Sequence, residues 1–357
     1  MDSALLRDTI DSIDAPDHTS APDTQRRLDN LTKPLGSLGA LEGVACRLVT
    51  ATGHAEPRFR EKRVIVFAAD HGVAAEGVSA YPSEVTAQMV LNFLAGGAAI
   101  NVLARHAGAK VVVVDVGVAA DMGSPAGLIS RKVAPGTRNM RVGPAMDASD
   151  ALAALEVGID IAQREIAAGA DMIAMGEMGI GNTTAATAVT AAVTGKPVAD
   201  LTGSGTGIDE DRRALKVQVI EDALALHAPS VDDPVALLAS VGGFEVGAIA
   251  GATLAAAANR VPVVVDGFIS TAGALIAALL CPDAKNAMFA SHSSAEPGHA
   301  AALEWLGLEP LLRLGLRLGE GTGAALAMPI LQAAGLVLGE MASFADAGVS
   351  TAEEGQG

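Results

Sequence analysis

Arg63 to Asp70 reads RVIVFAAD, a short apolar run that ends on an acid. Continuous apolar runs of this length suit strands buried on both faces, as in a parallel sheet covered by helices. The pattern recurs at KVVVVDVG (110–117), DMIAMGEMG (171–179), VPVVVDGF (261–268) and KNAMFASHS (285–293). Helical stretches fall between these runs, at about 84–106, 151–168, 183–194, 210–226, 244–258 and 271–280, and LLASVGG (237–243) is a further short element. Strands alternating with helices predict an α/β fold, a Rossmann-like parallel sheet flanked by helices with right-handed crossovers.

The ends of the chain read differently. Residues 2–13 form a short helix with Leu5, Leu6, Ile10 and Ile13 on one side, and DAPDHTSAPD (14–23) breaks it. A turn at Lys33-Pro34 leads into another helix from about Ser37, and from about residue 297 onward the chain reads as helices only. The expected organisation is a large α/β domain over 55–300 and a small helical domain built from 1–54 and 301–350. A disordered tail is expected at 351–357.

Half of the residues are hydrophobic but only 3% are aromatic, so the core must be Ala, Val, Leu and Ile in close packing. Lysine and arginine number 24 against 41 acids, and the resulting formal charge of −17 repels nucleic acid and anionic membranes. An anionic ligand must therefore be held by local loops. No apolar run of about 18 residues escapes Gly, polar or charged breaks, so no membrane span is expected. Cys46 and Cys281 match neither a metal nor a disulfide pattern, and Met1–Ser20 lacks the apolar core of a signal peptide. A reducing cytoplasm fits both.

In open parallel sheets, ligands bind beyond the carboxyl ends of the strands. Those ends carry Asp70-His71, Asp115, Glu177, Asp266 and Ser291-His292 in succession. For any one acid, capping of the next loop is the ordinary alternative. GEMGIGNTTAATAV (176–189) places a bare turn and Asn182-Thr183-Thr184 before a small-residue helix, which suits a phosphate cradle or a Thr-capped helix. LTGSGTGIDEDRRALKVQVIE (201–221) offers a second glycine–hydroxyl loop, with Asp209 as an N-cap. Lys216 either leans back toward that loop or stands in solvent on an amphipathic helix. Asp70-His71-Gly72 has the types for a metal or an acid–base pair, but no further ligand lies at a useful spacing, so no metal is expected. Ser83 to Gln88 resembles a capping box. In LRLGEGTGAALA (316–327) Glu320 stands alone among Gly319, Gly321 and Gly323, and a charge at a helix N-terminus is its simplest reading.

Seven segments together carry a family resemblance: LDNLTKPLGSLGALE, FAADHGVAAEGVSAYPSEVTAQMVLNFL, GEMGIGNTTAATA, GSGTGID, DGFISTAGALIAA, SHSSAEPGH and GLRLGEGTGAALAMPIL. In this order, from about residue 26 to 340, they resemble the nicotinate-nucleotide–dimethylbenzimidazole phosphoribosyltransferases of cobalamin lower-loop assembly. The resemblance implies transfer of phosphoribosyl from nicotinate mononucleotide to 5,6-dimethylbenzimidazole, giving α-ribazole 5′-phosphate and nicotinate. It also implies a homodimer that uses no metal and no redox cofactor. Carried onto this chain, the general base falls on Glu320 and a second acid on Glu177. Phosphate and ribose contacts fall on Gly179, Gly181, Asn182, Thr183, Thr184, Gly203, Ser204, Gly205, Thr206, Lys216, Asp266 and Ser291. The base pocket falls on Tyr81, Gln88, Met178 and Leu318, where glycines beside Glu320 would admit a flat ring. A negatively charged Glu177 would ease an oxocarbenium-like transition state. The alternatives are a related phosphoribosyltransferase using another base, or a nucleotide-binding protein without catalysis.

Overall fold

The computed structural model describes residues 3–16, 19–205 and 207–350, so the expected tail and Thr206 lie outside the described residues. Six parallel strands form one sheet: β1 (Lys62–Ala69), β2 (Ala109–Gly117), β3 (Leu128–Ser130), β4 (Met172–Met178), β5 (Val263–Val265) and β6 (Met288–Ala290). Their order is β3-β2-β1-β4-β5-β6, the doubly wound arrangement whose direction of winding reverses between β1 and β4. In such sheets ligands bind outside the carboxyl ends of the strands. The five runs expected as strands are strands. β3, a three-residue edge strand that is partly exposed, carries little apolar signal in the sequence.

Helices cover both faces: α1 (Ala4–Asp11), α2 (Ser20–Asp29), α3 (Ala40–Thr52), α4 (Glu84–Ala95), α5 (Ala99–Ala107), α6 (Ala148–Ala167), α7 (Asn182–Thr194) and α8 (Val198–Leu201). They continue with α9 (Glu210–His227), α10 (Pro234–Val241), α11 (Phe244–Ala258), α12 (Phe268–Leu280), α13 (Pro297–Leu306), α14 (Thr322–Glu340) and α15 (Phe344–Ala347). The helix expected over 84–106 is two helices, because Gly96 at φ +79° ends α4 in the left-handed conformation. The break expected over 14–23 is shorter, since Pro22 lies in the first turn of α2, where its missing N–H costs nothing.

Alternate residues of β1 feed two cores. Ile65 and Phe67 join one with α6, α7 and α10–α13, while Val64 and Val66 join the other with α2–α5 and α14. That is why the strand reads as an unbroken apolar run. α3 packs against both α2 and α14. They share their core with the sheet, however, and α1 and α13 cover the opposite face, so the ends do not enclose a core of their own. Nor is the chain after residue 297 all helical. Residues 307–321 are non-helical and run beside 290–295 through Leu312 N–H to Ser291 O and Ser293 N–H to Leu312 O. This segment carries Glu320 to the strand ends. By length and composition alone, Glu84–Ala107 and α14 could cross a membrane. The first is broken at Gly96, and α14 packs in the second core.

α6 and α11 meet almost backbone to backbone. A Cβ on Gly158 would lie 1.9 Å from Ala248 O, and one on Gly251 would lie 1.9 Å from Leu155 O. Gly251→Ala should therefore destabilise the protein by about 1–3 kcal/mol through overpacking. Chemical denaturation measures this, and an unchanged midpoint would show that the helices can separate without cost.

Candidate active site

A cavity of about 700 Å³ lies over the carboxyl ends of β4, β5 and β6. β4 ends at Glu177 and Met178, and its turn presses against β1, where a Cβ on Gly179 would meet Ala69 O at 2.2 Å. α7 then begins behind Gly181, whose φ is +96°, with no side chain capping it. The Thr-cap alternative therefore does not hold. Asn182 Nδ2 instead donates to Glu177 Oε2 in a short hydrogen bond. Asn182 and Thr183 face the cavity, whereas Thr184 is fully buried and its hydroxyl has no partner.

Among its described residues, the second loop reaches the cavity at Gly205 alone. Ser204 is exposed and, with Gly203, borders a neighbouring open depression of about 550 Å³. Glu296, absent from the expected set, stands between these loops: Gly205 N–H donates to its Oε1 at 3.1 Å. Lys216 is not a solvated lysine. It is 1% exposed, and its Nζ donates to Thr183 Oγ1 at 2.7 Å. Burial pulls its pKa down to about 8, against the opposing pull of the Glu296 carboxylate.

Asp266, just past β5, does not line the cavity as a phosphate or ribose ligand would. Its oxygens accept Gly321 N–H at 3.1 Å and Ala324 N–H at 2.8 Å, at the start of α14. Burial pushes this carboxyl up to about 6, while the backbone donors pull it back. Ser291 is likewise internal, its hydroxyl within reach of Asp266 O and His292 Nδ1. His292 and Ser294 line the cavity in its place.

Glu320 precedes Gly321 with φ +62°, a left-handed conformation that is costly for a side-chain-bearing residue. Its N–H points at Glu177 Oε1, 3.4 Å away, and its own Oε2 lies 3.4 Å from Ile100 N. The flanking glycines serve this packing and not the entry of a ring: a Cβ on Gly319 would strike Glu177 Oε1 at 2.2 Å, and one on Gly321 would strike Val64 Cγ1 at 2.7 Å. Burial and the Asp266 charge raise the Glu320 carboxyl above its ordinary range, opposed by the Ile100 N–H. Glu177 is raised further, to about 8, by burial and then by the charges of Asp266, Glu245 and Glu320. A carboxyl raised this far favours its protonated form at neutral pH, unlike the anionic Glu177 expected above.

Tyr81, Met178 and Leu318 line the mouth of the cavity, Tyr81 and Leu318 more than half exposed. Gln88 is exposed on α4 outside the lining, and Val85 and Met89, one turn apart, present that helix to the cavity. The remaining strand-end acids are caps: Asp70 accepts Ala119 N–H, and Asp115 accepts Val118 N–H. Asp209 caps α9 as expected, but Ser83 makes no side-chain cap. Among the described residues no cluster of three or more His, Cys, Asp or Glu could hold a metal.

A family model described as "Phosphoribosyltransferase" matches residues 13–349. Among curated proteins, the nicotinate-nucleotide–dimethylbenzimidazole phosphoribosyltransferase of Chloroflexus aggregans is 58% identical over 98% of this chain and 99% of its own length. The protein of the same name from Geobacter metallireducens is 57% identical over 97% and 98%. A crystal structure of that enzyme from Thermus thermophilus superposes with a TM-score of 0.90 at 50% identity, covering 94% of this chain and all of the other.

A buried acid that keeps its proton makes the fold less stable as pH rises, because the unfolded chain gives that proton up near 4.5 and the native chain only near 8. Glu177→Gln should therefore gain stability over the parent progressively between those values. Thermal melts across pH test this. A constant difference would mean that Glu177 is ionised throughout.

Proposed function

This chain belongs to the nicotinate-nucleotide–dimethylbenzimidazole phosphoribosyltransferase family, and from that premise we propose that Glu320 is the general base of its reaction. The enzyme transfers the phosphoribosyl group of nicotinate mononucleotide to 5,6-dimethylbenzimidazole, giving α-ribazole 5′-phosphate and nicotinate, in assembly of the cobalamin nucleotide loop. The observation that carries the assignment is the convergence of Glu320 and Glu177, from separate elements, on one cavity. The same cavity is lined by apolar side chains of α4 and by donors of the Thr183 and Gly205 loops.

In this reading a ring nitrogen of the benzimidazole attacks the ribosyl carbon. The bond from that carbon to the pyridinium nitrogen breaks, and its electron pair leaves with nicotinate. The leaving group is already cationic, so its departure needs no acid. The ring N–H left on the product must be lost, and the Glu320 carboxylate takes that proton. Burial makes this carboxylate a stronger base than an exposed one. Glu177 stands near the reacting ribose. A bound pyridinium cation favours its ionised form, so nucleotide binding itself supplies the negative charge that steadies an oxocarbenium-like centre. Lys216, held by Thr183, and the N–H groups at the start of α7 serve the phosphate. Asp266 serves the reaction from behind by holding the start of α14. A homodimer in the cytoplasm completes this reading.

Release of nicotinate from nicotinate mononucleotide should require dimethylbenzimidazole, and Glu320→Gln should slow it by about 10² or more with nucleotide affinity unchanged. Because Glu320 must be ionised to act, the parent rate should fall on the acid side at a pH above the ordinary carboxylate range. An unaffected rate in Glu320→Gln removes this residue as the base.

A further inference from the structure

Asp70-His71 stands out in the sequence, yet the reaction as described leaves His71 unused. His71 is buried just past β1, with Nε2 2.8 Å from Glu245 Oε1 in the first turn of α11. Neither side chain lines the cavity. Burial opposes a charge on the imidazole, but the Glu245 carboxylate, helped by Asp70, lifts its pKa above the usual histidine range and so favours the charged pair. Glu245 Oε2 has no partner at all. Buried ion pairs with an unmet oxygen contribute little to stability, and apolar replacements often do as well or better. Stability alone does not account for this pair.

Its surroundings do. The imidazole is wedged between the start of α11 and the turn that follows β4. A Cβ on Gly243 would lie 2.4 Å from His71 Cε1, one on Gly179 3.4 Å from Cδ2, and one on Gly181 3.2 Å from the His71 Cβ. The ring therefore sets where that turn stands, and Glu245 sets the angle of the ring. Beyond the turn, Asn182 holds Glu177, and the other oxygen of Glu177 faces the Glu320 N–H. We propose that His71 and Glu245 are positioning residues, whose bond holds the Gly179–Asn182 turn, and through it Glu177, in place against the nucleotide. This inference rests on the phosphoribosyl-transfer reading above.

The test uses the full-length protein, with His71→Leu/Glu245→Leu as an apolar replacement and His71→Ala as a second variant should the first not fold. Nicotinate release is followed while each substrate is varied in turn. For folded variant the expected result is a fall in kcat of at least about tenfold, a raised KM for nicotinate mononucleotide and an unchanged KM for dimethylbenzimidazole. The thermal midpoint of the double variant should stay at or above that of the parent. Parental kcat and KM values in a folded variant overturn the inference. So does a loss of activity that only tracks the folded fraction. If the parent itself turns nothing over, the enzymatic reading fails. The inference is then read from calorimetric affinity for nicotinate mononucleotide, which should be weaker in the variants and would overturn it if equal.

Discussion

The carboxylate of Asp266 against the first amides of α14 is the interaction on which the site depends. A helix start has free N–H groups and a partial positive charge, and a buried carboxylate is a fitting partner for both. Here the acid leaves the end of β5 and takes the amides of Gly321 and Ala324. Glu320 is the residue immediately before them. Its left-handed backbone and the bare Cα atoms around it follow from that docking, because the chain must pass β4 within van der Waals distance of Gly176 and Glu177. A carboxylate that approached from solvent would be flexible and fully hydrated. This one is fixed and largely dehydrated.

Docking Glu320 there concentrates acids. Burial raises the proton affinity of Glu177, Asp266 and Glu320, and the neighbouring acid charges raise Glu177 and Glu320 further. Such crowding works against folding stability, and it is the usual condition of a site tuned for proton transfer. In the proposed reaction, graded proton affinities let these carboxyl groups differ in role: Asp266 as an anchor, Glu177 poised to ionise on binding, and Glu320 as an acceptor.

The sheet was legible because strands buried on both faces have no polar alternation to obscure them, and β1 shows this in the split of its residues between two cores. Glu320 and Glu177 were singled out by the family resemblance, since on their own they read as a helix-start charge and a strand-end cap, whereas the Thr183 loop stood out by its bare turn before a small-residue helix. Other features depended on three-dimensional packing. Asp266 and Ser291 stand at strand ends like true ligands, and only the docking of α14 and the 307–321 segment turns them inward. Gln88 and Met89 are adjacent in sequence but a third of a helical turn apart, so the choice between them rests on how α4 is rotated. Glu296 gave no signal beyond its motif, because its importance comes from a loop some ninety residues earlier.

For Glu320 to act as the base, its carboxylate must reach the N–H of the incoming ring. A crystal structure of the protein with 5,6-dimethylbenzimidazole bound is the decisive measurement. A ring nitrogen within hydrogen-bond distance of a Glu320 oxygen, with the ring against Met178 and Leu318, is the expected result. A ring seated in the cavity with both nitrogens turned away from Glu320 would contradict it.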